Sequence, residues 1–219
     1  MKMKKIVATG SALALTAAVA VGGTLAYLQD STNAVTNKFT YNAASQNVSL
    51  EIYEHKINPE NPLQVFDTAY TAEDDTHFVY EGDAQDYTIM PGATVEKDPT
   101  LRVTSGNTKV YVYAEVKETD ESNAIETITM ADGWTSLEMK GANNGDVYVL
   151  TLSNDGGIAT GMAEQIANTN EYPVLKSVKY ASTMSADATA NIEVYGYVVD
   201  AVAGADAKTV YTSTFMPQG

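Results

Sequence analysis

The chain has 219 residues, enough for one generous domain with a sizeable core. It carries 13 Lys+Arg against 28 Asp+Glu; Lys2, Lys4 and Lys5 lie in the first five residues and no acid precedes Asp30, so the balance from residue 27 onward is -18. Such acidity excludes a simple electrostatic grip on nucleic acid or an anionic bilayer, the lack of cysteine excludes disulfides, a thiol nucleophile and zinc fingers, and two histidines, His55 and His77, leave little for His-based catalysis.

Residues 1–26 have the layout of a secretory signal peptide. A basic start is followed by an apolar stretch from Ile6 to Val21, then Gly22-Gly23-Thr24-Leu25-Ala26. The small Thr24 and Ala26 occupy the -3 and -1 positions of a cut before Tyr27. An uncleaved anchor is the alternative, but the apolar run is shorter than the roughly 20 residues a spanning helix wants. The last residues, Phe215 to Gly219, carry no wall-sorting signal. The expectation is an exported protein, released or held non-covalently, stabilised by core burial alone as on a Gram-positive bacterial surface.

The mature chain, residues 27–219, reads as one β-sandwich domain. Gln29 to Asn33 is polar and predicts a mobile tether. Beyond it, Val35, Asn37, Phe39 and Tyr41 share one face of a strand, and Thr36, Lys38 and Thr40 share the other. Such a tethered strand, within residues 27–41, has two uses. It pairs in its own sheet, or it leaves and completes a neighbour's sheet by head-to-tail donor-strand exchange.

Strict alternation recurs downstream. Val48, Leu50 and Ile52 oppose Ser49, Glu51 and Tyr53; Val110, Val112, Ala114 and Val116 oppose Tyr111, Tyr113, Glu115 and Lys117; Ile192, Val194, Gly196 and Val198 oppose Glu193, Tyr195 and Tyr197. Period two predicts one buried face and one wet face. With 14 Tyr against 4 Phe, the tyrosines suit strands whose rings pack and whose hydroxyls meet water. Further strands are expected at His77–Tyr80, Asp86–Met90, Thr100–Thr104, Trp134–Lys140, Val147–Ser153 and Val174–Tyr180, with Asn144-Gly145 as a hairpin turn. Residues 55–76, with Pro59, Pro62 and Glu73-Asp74-Asp75, read as an irregular insertion. Ala159–Asn168 and, more weakly, Ala201–Lys208 are helix candidates.

Chemistry-bearing motifs are sparse. His55 and His77 are 22 residues apart, without the HExxH that a zinc peptidase needs. There is no nucleophile elbow, phosphate loop or dinucleotide fingerprint. Asn143, Asn144 and Asp146, or Asn154 and Asp155, offer oxygen ligands, but lack the offsets and closing Glu of an EF-hand loop; turn formation explains both. No catalytic residue, cofactor or metal site is assigned.

The segment Gly22 to Asp30, followed by Asn37-Lys38-Phe39-Thr40, resembles the start of the TasA/camelysin family. Met90-Pro91-Gly92-Ala93-Thr94-Val95-Glu96-Lys97 is similar to that family's Pro-Gly turn, and Ile192–Val199 to its closing strand, without the usual Gln-Ala. Residues 55–85 and 120–172 match nothing in it. The resemblance implies export through the family's signal peptidase, SipW, a jelly-roll-like antiparallel β-sandwich with one or two short helices, and assembly into extracellular biofilm-matrix fibres. The expected partners are further copies of the chain, the signal peptidase and other matrix components, with no nucleic acid. The expected function is structural, not enzymatic. The alternatives are a monomeric surface adhesin and, as some relatives are labelled, a metallopeptidase.

Overall fold

The computed structural model describes residues 32–41, 49–70, 76–80, 84–88, 90–104, 110–151, 170–184, 188–200 and 205–216. In chain order the strands are β1 (Thr32–Tyr41), β2 (Ser49–His55), β3 (Ile57–Asn58), β4 (Asn61–Val65), β5 (Phe78–Tyr80), β6 (Ala84–Thr88), β7 (Thr94–Glu96) and β8 (Thr100–Thr104). They continue with β9 (Val110–Thr119), β10 (Ile125–Met130), β11 (Trp134–Lys140), β12 (Asp146–Leu150), β13 (Asn170–Pro173), β14 (Leu175–Tyr180) and β15 (Asn191–Asp200). One helix, α1 (Ala207–Phe215), follows.

The protein is all-β, with sheet packed on sheet. A six-stranded sheet runs β11-β12-β9-β15-β1-β6. Facing it are a four-stranded sheet, β13-β8-β2-β5, and a three-stranded one, β10-β14-β7. Strands close in sequence alternate between layers, as in a jelly roll. The pairings are antiparallel except that of β1 with β15, which is parallel. β1 and β15 lie at opposite ends of the described chain, so no short hairpin forces them antiparallel.

The main core lies between the layers. It joins Val110, Val112, Ala114, Val116, Ile192, Val194 and Val198 of the large sheet to Leu50, Ile52, Leu101, Val103, Val95, Leu175 and Val178 opposite. These are the inward positions of the period-two count. The layers approach so closely at Gly196 that a Cβ there would stand 2.6 Å from Leu101 Cδ2.

The expected wet face of the large sheet is not wet. Tyr111, Tyr113, Tyr195, Tyr197, Val147 and Val149 form a second core with Ala207, Val210 and Tyr211 of α1. The helix makes the difference. It begins where Asp206, in extended backbone, accepts from the Thr209 amide at 3.0 Å. That start lies six residues later than the Ala201–Lys208 candidate, for which the Ala-rich composition carries no cap. Tyrosine hydroxyls meet the helix rather than water: Tyr111 and Tyr113 donate to the carbonyls of Ala205 and Ala207 at 2.8 and 2.9 Å.

Glu115 shares this covered face and is 0 % exposed. Its Oε1 accepts the amides of Asn143 and Gly145 at 2.7 and 2.8 Å, and its Oε2 accepts the hydroxyls of Tyr197 and Tyr211 at 2.7 and 3.1 Å. One carboxylate thus binds the β11–β12 turn to β15 and α1. Asn144 of that turn is left-handed, with φ 66°. The expected Asn144-Gly145 hairpin is present.

Two strand expectations need correction. Residues 55–76, read as irregular, contain the β3–β4 hairpin. Pro62 sits on an exposed strand of this two-stranded sheet, where no ladder donor is required. The short β7, β10 and β13 were also absent from the period-two reading; β13 ends in Pro173 at a sheet edge. The expected signal peptide, residues 1–26, and the helix candidate Ala159–Asn168 lie outside the described residues.

The Glu115 turn gives a direct test. A Cβ on Gly145 would stand 2.8 Å from the backbone carbonyl of Val116 and from Glu115 Cγ. Gly145→Ala is expected to cost roughly 1–3 kcal/mol, lowering the melting temperature by about 2–4 °C per kcal/mol in a chain of this size. An unchanged thermal midpoint by circular dichroism would show that the turn yields freely.

Candidate functional site

The residues singled out for polymerisation all lie on β1. Val35, Asn37, Phe39 and Tyr41 stand in register with Ile192, Val194, Gly196 and Val198 of β15. Those are the β15 positions on the main-core side of the sheet. Phe39 is thus placed opposite Gly196, where the two layers approach closely. On its other edge β1 runs antiparallel to β6, Val35 opposite Gln85 and Thr36 opposite Ala84. Among the described residues, Asn37 to Tyr41 pair with β15 alone. The signal-cleavage residues Thr24, Ala26 and Tyr27 lie outside the described residues.

Within the six-stranded sheet, β6 has no neighbour but β1. Its inward side chains nevertheless reach across to the opposite layer. Gln85 Oε1 accepts the amide of Ile57 at 2.9 Å, and Gln85 Nε2 donates to the carbonyl of His55 at 3.1 Å. The Tyr87 hydroxyl donates to Glu54 Oε1 at 2.5 Å. Lys97 Nζ donates to the same oxygen at 3.1 Å and sits 4.2 Å above the Tyr87 ring. Glu54 is 0 % and Lys97 3 % exposed. Burial pushes the Glu54 carboxyl up and the Lys97 ammonium down, each toward its neutral form; their mutual attraction pulls the other way. Among the described residues, Glu54 Oε2 has no hydrogen-bond partner. The carboxylate therefore depends on Tyr87 and Lys97, both acting on one oxygen.

Sequence reasoning missed this cluster, although a signal was present. Counting by two from Leu50 and Ile52 lands on Glu54, and counting by two from Val95 lands on Lys97. Opposite charges at inward positions of two strands predict a buried pair.

His55 stands at the end of β2, beside an open groove of about 640 Å³ whose lining includes Asp67, Glu96, Asp98, Asp132 and Lys176. Its Nδ1 is 2.6 Å from Asp98 Oδ2 and its Nε2 2.8 Å from the Thr68 carbonyl. Both partners are acceptors, so the ring is fully satisfied as an imidazolium that donates from both nitrogens. Burial lowers its pKa; the Asp98 hydrogen bond and charge, the Thr68 carbonyl and Asp67 outweigh that, and the pKa lies above its ordinary value. Neither ring nitrogen faces the groove as a ligand. Among the described residues no group of three or more His, Cys, Asp or Glu is placed to hold a metal ion. Of the oxygen ligands weighed earlier, the Asn143 side chain donates to Glu115 and Tyr197, and Asp146 pairs with Lys140 at 2.8 Å. Asn154 and Asp155 lie outside the described residues.

No protein-family model and no curated protein matches the chain.

Removing Lys97 while leaving Glu54 strands a buried carboxylate. Lys97→Met is expected to destabilise the protein by about 3–5 kcal/mol, read from urea midpoints. The double variant Glu54→Leu/Lys97→Met should recover most of the loss, because no charge then remains to be paired. A single variant as stable as the parent would show that the pair contributes nothing.

The His55 clamp should be pH-dependent. Because its folded pKa is raised above the ordinary 6.5, its stabilising contribution is fully present below about 6.5 and is lost as pH rises through the higher folded value. The stability difference between the parent and His55→Gln should therefore shrink from pH 6 toward pH 9. A difference independent of pH across that range would refute the clamp.

Proposed function

We propose that this chain is an exported structural subunit of extracellular fibres, related to the TasA/camelysin proteins and without enzymatic activity. Each copy passes its β1 to the next. The observation that carries this reading is the position of β1. It fills a place between β15 and β6, and the β15 and β6 residues it pairs with lie at least 48 positions away in sequence. No short hairpin obliges it to pair with its own chain. A β1 from a second copy can offer the same backbone groups in the same register, so exchange conserves the ladder hydrogen bonds. Repetition of that head-to-tail contact does not close and gives filaments. Cleavage after Ala26 would free the N-terminus to thread into its neighbour; export by the signal peptidase and other matrix components as partners belong to the same proposal.

A monomeric surface-binding module is the second reading. It draws on the open groove beside His55, which is large enough for a small ligand. A monodisperse protein that retains a glycan would favour it.

Electron microscopy of the mature protein starting at Tyr27 distinguishes the two. Wild type should form fibres. Phe39→Asp, which puts a charge at the β1 position in register with Gly196, should remain soluble and β-rich by circular dichroism but form none. Fibres from Phe39→Asp at the wild-type rate would sink the strand-exchange mechanism, and a wild type that stays monodisperse would sink the fibre reading.

A further inference from the structure

The inference drawn here rests on the strand-exchange reading and concerns what keeps the vacated place in shape. A strand of five residues with a single ladder partner loses every interstrand hydrogen bond in its sheet when that partner leaves. On that count β6 should collapse or drift once β1 departs, and no neighbour could then enter in register.

The side chains of β6 prevent this. The Gln85 amide takes the N–H of Ile57 and gives to the carbonyl of His55, as the backbone of an adjacent strand would. Its Nε2 also donates to the Tyr87 hydroxyl at 2.9 Å. Tyr87 continues to Glu54, and Lys97 closes the cluster against both the carboxylate and the ring. Gln85 and Tyr87 are 8 % and 2 % exposed. None of these contacts involves β1. They tie β6 to β2, to Ile57 at the start of β3 and to Lys97 just beyond β7.

We infer that Gln85, Tyr87, Glu54 and Lys97 hold β6 as a standing edge, so that the slot between β15 and β6 remains open to the N-terminal strand of a second copy of this chain. They are positioning residues for assembly. The slot prescribes its occupant: an extended strand, parallel to β15 over Ile192–Val198 and antiparallel to β6 over Ala84–Thr88. A preformed slot also spares the incoming strand the cost of ordering β6.

The test separates giving a strand from accepting one, using full-length mature chains. Gln85→Met keeps the volume and loses the two backbone contacts. Tyr87→Phe keeps the ring under Lys97 and loses the hydroxyl on Glu54. Phe39→Asp is the complementary variant, impaired as a donor with its slot intact. Each slot variant alone should elongate fibres about tenfold more slowly than wild type, or worse. Mixed with Phe39→Asp, each should donate its own β1 and give a heterodimer by size-exclusion chromatography. Fibres from both slot variants at the wild-type rate overturn the inference while leaving strand exchange standing. Slot variants that cannot donate to Phe39→Asp overturn it too, because the cluster would then serve folding in general. If Gln85→Met loses its β circular-dichroism signal, Tyr87→Phe alone decides. A wild type without fibres fails the parent reading, and this inference with it.

Discussion

The structure depends on one constraint: β9 and β15 are buried on both faces. Paired over ten residues, from Asn191 opposite Thr119 to Asp200 opposite Val110, they form the centre of the large sheet. A sheet that is dry on both sides needs two covers. The smaller sheets supply one through Leu50, Leu101 and Val103; α1 supplies the other through Ala207, Val210 and Tyr211. Each apolar side chain fully buried in those layers contributes roughly 1.5–3 kcal/mol, which for a chain without cysteines is the main available source of stability.

Two covers create a second constraint, because polar residues of the central strands can no longer face water. The protein answers it in two ways. Glu115 is surrounded by neutral donors, two backbone amides, the Asn143 side-chain amide and two phenols, which spread its charge over a turn, a strand and a helix. Glu54 is matched by a cation and one phenol on a single oxygen. The first arrangement tolerates the loss of one donor better than the second tolerates the loss of Lys97, since an ion pair without its partner leaves a bare charge in a medium of low dielectric. Both carboxylates also join elements distant in sequence, and each serves as a tie between layers that backbone hydrogen bonding cannot provide.

The placement of β1 gives these ties their functional sense. It is the parallel member of an otherwise antiparallel set, inserted between two strands with which it shares no short connection. On the proposed reading, the rest of the sandwich is a frame for one exchangeable strand. Burial and pairing concentrate in β9, β15, β2 and β8, while β6 is fastened by side chains. On that reading, the frame loses and regains a strand while keeping its core.

Much of the architecture was legible in the residues. Thr100–Thr104 and Trp134–Lys140 are strands at the expected bounds, and Leu50, Ile52, Val112, Val194 and Val198 face the core as period two requires, because alternation reports which side of a strand is apolar. The Asn144-Gly145 hairpin, with its left-handed Asn144, likewise follows from local turn chemistry. The second core did not follow. Tyr111, Tyr113 and Glu115 look like a solvent face because a tyrosine hydroxyl or a carboxylate is compatible with water, and only the docking of α1 some 94 residues later makes them interior. The alternation did place Glu54 and Lys97 at inward positions, but their meeting with Gln85 and Tyr87 was out of reach, since it requires knowing that β6 lies over β2 and the end of β7. Local alternation set the long strands and their apolar faces, because these depend on each residue's neighbours one and two positions away. Which strands pair, which faces are covered twice and where buried charges meet were decided by tertiary structure alone, because those outcomes are set by long-range packing that no local pattern encodes.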